Sequence, residues 1–262
     1  MSRPKLTAAG ALGAFAMVVV LASPAAATLS DNFRIDSEAL GYALQYRVYT
    51  PNSDTRDSDA KELPVLYMTD GQWYIDYGDL PNLLDRMIAK GQIAPVIAVF
   101  VDNRDPDNLR DNRRNRQFFC NENYARFFSE ELIPTIDEAY ETRSQRGARV
   151  ILGLSFGGLN SACFGLLAHQ TFEGIAMQSP AMHPVPKIYD AYAEAPKHNL
   201  RIFLSTGTAG DNPDQALRLK KVLVEKGYEL RYKTVLEGHN WQNWRPLLDD
   251  VLEFFFSATG SG

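Results

Sequence analysis

Apolar positions along the chain change period several times, and each change marks an element. Tyr42, Leu44, Tyr46 and Val48 alternate with other residues, so Phe33 to Thr50 is expected to fold as two antiparallel strands. Leu63 to Thr69 and Ala94 to Val101 are nearly continuous apolar runs, the pattern of strands buried on both faces. The second of them is expected to be a central parallel strand. Leu83, Leu84, Met87 and Ile88 recur at helical spacing within Leu80 to Lys90, and Phe127, Phe128, Leu132 and Ile136 within Asn121 to Ala139. Val150 to Leu152 is a short β-prone run. The helical period returns at Leu159, Ala162, Cys163, Leu166 and Leu167. Further strands are expected over Phe172 to Gln178, Leu200 to Ser205 and Glu229 to Leu236. Helices are expected over Ile188 to Glu194, Asp214 to Lys226 and Pro246 to Phe256. Pro51 to Glu62 and the charged stretch Asp102 to Gln117 read as surface loops. The alternation from Leu63 onwards predicts a single α/β domain, with a mostly parallel central sheet and helices on both faces.

The first segment stands outside this pattern. Arg3 and Lys5 precede an apolar run from Ala8 to Leu21, and Ala25-Ala26-Ala27 supplies small residues for cleavage. That is the form of a secretory signal peptide over residues 1–27, leaving a domain over 28–262. The competing reading, an uncleaved anchor, asks for a longer run. The expectation is therefore a periplasmic or secreted protein with no stable membrane span after signal removal. Removing the two cations takes the formal net charge from −5 to −7, which argues against a nucleic-acid partner. Cys120 and Cys163 show no metal-ligand spacing, and no metal or cofactor is implied. They could pair in an oxidising compartment or stay as two buried thiols, and the sequence leaves both open.

The chemistry concentrates at Gly153-Leu154-Ser155-Phe156-Gly157. This G-x-S-x-G lies between the apolar strand and the apolar helix, the setting of a nucleophile elbow. In an open α/β sheet the site lies past the carboxyl ends of the strands, which brings forward Asp70, Asp102, Ser155, Ser179, Asp211 and His239. A serine nucleophile needs a base, and the base needs an acid to orient it. Of the histidines, His169 reads as a helix-end residue, His183 and His198 as surface positions. His239 alone follows an expected strand directly. Asp211 lies between serine and histidine in chain order at a strand end, whereas Asp214 looks like a cap of the next helix. The oxyanion hole is assigned to the N–H of Phe156 and a second N–H from Gln72 or Trp73. Asp70 and Gly71, at the same strand end, are placed with Trp241, Arg114 and Arg116 among substrate contacts. Trp73, Tyr74, Trp241 and Trp244 either wall a pocket or pack in the core. Arg113, Arg114 and Arg116 either meet an anionic substrate or form a solvated loop.

The blocks LPVLYMTDGQWY, FFSEELIPTIDEAYETR, LGLSFGGLNSACFG, QSPA, STGTAGD and EGHNWQNWRPLLDDVLEFFF resemble an esterase family of α/β-hydrolases. That family includes enterochelin esterases, feruloyl esterases and esterase D, with mycolyltransferases as distant relatives. The resemblance covers most of the chain from Leu63 and implies the α/β-hydrolase fold with a Ser155, Asp211 and His239 triad. Gln117 departs from it, because siderophore-cleaving relatives often place Glu after a paired-Arg stretch such as Arg114-Asn115-Arg116. The reading is an exported serine carboxylesterase acting on a small-molecule ester: a siderophore lactone, an aryl ester or an acyl-sugar ester. Two alternatives stay open, an acyltransferase of the mycolyltransferase type and a non-catalytic binding domain that kept the fold.

Overall fold

The computed structural model describes residues 27–52 and 62–258. The expected signal peptide and most of the Pro51 to Glu62 loop lie outside the described residues. Among them, nine strands form one sheet. They are β1 (Thr28–Leu29), β2 (Phe33–Ser37), β3 (Tyr42–Thr50), β4 (Val65–Met68), β5 (Ile97–Asp102), β8 (Arg149–Leu154), β9 (Gly174–Gln178), β10 (Arg201–Gly207) and β11 (Glu229–Val235). A separate hairpin pairs β6 (Arg104–Asp105) with β7 (Asn108–Asn112). The order across the large sheet is β1-β3-β5-β4-β8-β9-β10-β11, with β2 also paired to β3. From β5 to β11 neighbouring strands run parallel, while β3 is antiparallel to β5, β1 and β2. The expected mostly parallel sheet is present. The strand expected to be central and parallel, β5, is parallel on one side only.

Helices α1 (Gly71–Asp76), α2 (Leu80–Ala89), α3 (Arg114–Gln117), α4 (Glu122–Arg126), α5 (Ile133–Ala139), α6 (Phe156–Leu167), α7 (Ile188–Glu194), α8 (Pro213–Glu225), α9 (Trp241–Trp244) and α10 (Leu248–Phe256) fill the connections. Strand alternation divides the apolar residues between two layers. Val65, Tyr67 and Ile151 face a cluster with Phe128, Phe164 and Phe172, while Leu66, Met68, Val150 and Leu152 face one with Leu84, Val251 and Leu252. Every residue of β4, β5, β8 and β9 is therefore buried, as the continuous apolar runs require.

Three stretches differ from the hydrophobic pattern. The single helix expected over Asn121 to Ala139 is α4 and α5 joined through a π-helical turn at Phe127–Leu132. Pro134 has no N–H to return to the preceding turn, and the wider turn accommodates it. The charged loop Asp102 to Gln117 contains the β6–β7 hairpin and α3, held by ion pairs that periodicity does not reveal. The closing helix starts at Leu248, after α9 and a 3₁₀ turn at Arg245–Leu247.

Candidate active site

β8 runs into the sharp turn at Ser155, and α6 begins one residue later. Ser155 has φ 56° and ψ −120°, a strained conformation for a residue with a side chain. Gly153 is required here because a Cβ on it would lie 2.1 Å from the Gly157 carbonyl oxygen. The strain keeps the Ser155 hydroxyl clear of the sheet. Its backbone is fixed on both sides: Ser155 N–H donates to Gln178 O at 2.9 Å, and Leu159 N–H donates to Ser155 O at 3.1 Å.

The ends of β10 and β11 supply the partners. His239 Nε2 lies 2.8 Å from Ser155 Oγ, and its Nδ1 lies 2.6 Å from Asp211 Oδ1. An ionised carboxylate only accepts, so Nδ1–H donates to Asp211 and Nε2 is free to accept the serine proton. The Asp211 side chain has no exposed surface. Its Oδ2 accepts from Ser179 Oγ at 2.5 Å, Gly207 N–H at 2.5 Å, Asn243 Nδ2 at 2.9 Å and Thr206 Oγ1 at 3.2 Å. Burial works to raise its pKa, but the donors, led by His239 and Ser179, outweigh it and hold the carboxyl at about 2. Asp214 is exposed in the first turn of α8, and the cap position of that helix belongs to Asn212. The expectation of Asp214 as the cap is thus corrected by two residues.

On the other side of the serine, the end of β4 turns through Asp70, at φ 56°, into α1. Phe156 N–H and Gln72 N–H are both in the first turn of a helix, where no intrahelical acceptor exists. Trp73 N–H donates to Asp70 O at 2.8 Å, which removes it from the two donors considered from sequence and leaves Gln72. The two helix starts are in contact, since a Cβ on Gly157 would meet Thr69 Oγ1 at 2.8 Å and Asp70 Oδ2 at 3.1 Å.

Several expected substrate contacts are corrected. Asp70 is fully buried and Gly71 is packed against the β5 backbone, where a Cβ would lie 2.4 Å from Phe100 C. Neither can face a ligand. Asp70 instead binds Arg114 in a two-pronged pair, Nε to Oδ1 at 2.8 Å and Nη2 to Oδ2 at 3.0 Å. Burial pushes the Asp70 carboxyl up to about 6 even with Arg114 beside it. Arg114 is 14% exposed and lies over the rings of Trp73, Phe118 and Phe156. Arg113 is buried and pairs with Asp105 and Asp111. Arg116 is exposed but pairs with Asp111 at 2.8 Å. Gln117 is buried and donates to Tyr42 Oη at 3.3 Å. Asp102 is held by Arg104 and Gln45.

Among the aromatic candidates, Trp244 is buried behind His239, with ring centres 4.9 Å apart and edge-on. Trp241 stands between Trp244, Tyr74 and the exposed Tyr77. His183 lies at the surface beside the Phe156 ring, and His169 and His198 stack on each other at 3.5 Å. Cys120 and Cys163 form a disulfide joining the segment after α3 to α6. No group of side chains that could hold a metal ion occurs among the described residues. Sequence reasoning did not single out Asn243, and it left Trp244 open between a pocket wall and the core, of which the structure gives the buried position. The available signal was Asn240, which caps α9 by accepting from Gln242 and Asn243 N–H, so that α9 starts directly after His239.

The chain is 26% identical over 230 residues to an endo-1,4-beta-xylanase/feruloyl esterase of Xylanibacter ruminicola, covering 84% of this chain and 30% of that protein. It is 25% identical over 143 residues to the iron(III) enterobactin esterase of Escherichia coli strain K12, covering 55% of this chain and 34% of that one. It spans less than half the length of either relative. A solved ferulic acid esterase superimposes with a TM-score of 0.76 at 21% identity, covering 88% of this chain and 98% of the other. The enterobactin esterase of Shigella flexneri gives a TM-score of 0.73 at 20% identity over 87% and 59% of the two chains. These likenesses show the α/β-hydrolase fold. The profile of the family described as "Putative esterase" matches residues 37–255, and the chain belongs to that family.

Proposed function

We propose that the protein is an exported serine carboxylesterase with Ser155 as nucleophile, His239 as base and Asp211 as the acid that orients it. The observation that carries this reading is the unbroken chain from Ser155 Oγ through both nitrogens of His239 to Asp211. Ser155 Oγ attacks the ester carbonyl while His239 Nε2 takes its proton. The N–H groups of Phe156 and Gln72 receive the negative oxygen that develops. His239 returns the proton to the leaving alcohol. Water, activated by the same imidazole, then releases the acid from Ser155.

The surroundings favour an aromatic or otherwise flat ester. Trp241 and exposed Tyr77 flank the histidine side, and Trp73 with Phe156 flanks the serine side. The feruloyl and enterobactin esterase relatives make aryl esters and siderophore lactones the first classes to assay. Export belongs to the same reading. It rests on the basic, apolar and small-residue order of the first segment and on the disulfide, a bond that oxidising compartments preserve.

A fluorophosphonate should place one label on Ser155, and a p-nitrophenyl ester should be turned over. Ser155→Ala should end both while the protein stays folded, because the hydroxyl supports no core contact. A folded Ser155→Ala protein that hydrolyses the ester at the wild-type rate would refute the assignment. Product analysis with an added sugar acceptor separates hydrolysis from acyl transfer.

A further inference from the structure

Ser179 lies just past β9 with φ 45°, and its side chain is buried. Its Oγ meets three partners: Asp211 Oδ2 at 2.5 Å, Trp244 Nε1 at 2.8 Å and Asn243 Nδ2 at 3.1 Å. The indole N–H and the amide NH₂ can only donate. A hydroxyl carries one proton and two acceptor sites. Neither neighbour can accept the Ser179 proton, which is left for Asp211, so the neighbours fix the direction of that bond. Asn243 Nδ2 also faces Asp211 Oδ2 at 2.9 Å and Gly238 O at 3.0 Å. All three of its partners are oxygens, so a flipped amide would set carbonyl against carboxylate.

The same strand end reaches the nucleophile. Gln178 O accepts the Ser155 N–H, and Gln178 Nε2 donates to Trp244 O at 2.8 Å. Trp244 in turn stands edge-on to the His239 ring. One dipeptide, Gln178-Ser179, thus touches Ser155 by its backbone, Asp211 by the Ser179 side chain, and Trp244 by both of its side chains.

We propose that Ser179, locked by Asn243 and Trp244, is a positioning residue of the reaction: it keeps Asp211 Oδ1 turned to His239 and draws part of the carboxylate charge onto Oδ2. The proposal rests on the triad reading above. A carboxylate with its charge shared among donors stabilises an imidazolium less than one with that charge left on Oδ1. Removing the hydroxyl concentrates charge on Oδ1, so His239 holds its proton to higher pH. It also loosens the carboxylate, which lowers the rate at every pH.

The test follows p-nitrophenyl acetate hydrolysis and fluorophosphonate labelling against pH for the wild type, Ser179→Ala, Ser179→Gly and Asn243→Ala. Glycine suits the left-handed backbone and separates loss of the hydroxyl from backbone strain. The plateau of kcat/KM and of the labelling rate should fall roughly 10- to 100-fold, as expected for a hydrogen bond to a charged group, with KM little changed. The acid limb should move up by a few tenths of a pH unit or more. The double variant Ser179→Ala/Asn243→Ala should lose less than the product of the two single losses, because both act through one carboxylate. If Ser179 variants do not fold, Asn243→Ala carries the same test. An acid limb that superimposes on the wild type's, or that moves down, overturns the proposal. An active wild type with an unmoved limb overturns this proposal alone; a wild type that neither turns over the ester nor takes the label overturns the triad reading with it.

Discussion

Two buried aspartates flank Ser155, and they are held in opposite ways. Asp211, past β10, accepts from four neutral donors on one oxygen and from His239 on the other. Asp70, past β4, has one charged partner, Arg114, which is itself packed among aromatic rings. Both side chains are withdrawn from solvent. Donors pull Asp211 down to about 2, while burial leaves Asp70 at about 6. Burial alone therefore does not decide what a carboxylate can do. The arrangement around Asp211 keeps a charge available for an imidazole, and that around Asp70 confines a charge pair against the elbow helix.

The sharpest way to test this contrast is to remove the charge on the histidine side. Asp211→Asn keeps the shape but favours the wrong imidazole tautomer, so turnover should drop about 10⁴-fold. Steady-state kinetics on an aryl ester measures it. A loss of only a few-fold would mean that Asp211 does not orient His239.

On the other side the expected effect is on stability, and its pH dependence gives the sign. The folded pKa of Asp70 lies above the ordinary carboxyl value, so its ionisation costs the folded state as pH rises from about 4 to about 6. Arg114 offsets that cost. Arg114→Met should leave the buried Asp70 carboxyl without its partner and lower stability by about 3 kcal/mol near neutral pH. Because the variant keeps the proton on Asp70 to higher pH, its deficit against the wild type should be smallest below about pH 5 and grow as pH rises through about 6. Urea melts at both ends of that range decide it. A deficit independent of pH would show that Arg114 stabilises by packing alone.

The disulfide ties this second side to α6. It closes a loop between residues separated by 43 positions. Cys120→Ser/Cys163→Ser should cost about 2–4 kcal/mol of stability, since the open chain gains freedom when unfolded. Fluorophosphonate labelling of the folded variant should persist, because neither cysteine touches the triad. Loss of labelling in a folded variant would mean that the two sides are coupled more tightly than their separate networks suggest.

The two regions also differ in how far the sequence reveals them. Around Ser155, Asp211 and His239, local chemistry marks each residue: a Gly-flanked serine after an apolar run, and an acid and a histidine in the turns that follow strands. The sheet is legible for the same reason, because strands buried on both faces leave continuous apolar runs. Arg114 and Asp70 are 44 positions apart, and their pairing depends on how α3 docks on the elbow, which no period encodes. The charged stretch therefore looks like a solvated loop although Arg113 and Arg114 are largely buried. The π turn before α5 and the roles of Asn243 and Trp244 are hidden similarly. They depend on which donors meet which lone pairs in space.

The smallest expected effect comes from the carboxylate nearest to Asp211 in sequence. Asp214 follows Asp211 by three residues, and spacing alone leaves both as candidates for the acid. The structure gives them different surroundings. Asp211 faces inward to His239, while Asp214 is exposed in the first turn of α8, where a negative charge meets the unpaired N–H groups of the helix start. The cap position is filled by Asn212, so Asp214 offers only the interaction of its charge with the helix end. Asp214→Asn should therefore cost about 0.5 kcal/mol, less at high salt, and leave kcat/KM within about twofold of the wild type. Thermal melts at two salt concentrations, read beside the esterase assay, test both halves. A large loss of turnover in Asp214→Asn, with Asp211→Asn still active, would exchange the two residues' roles and remove the contrast between Asp211 and Asp70.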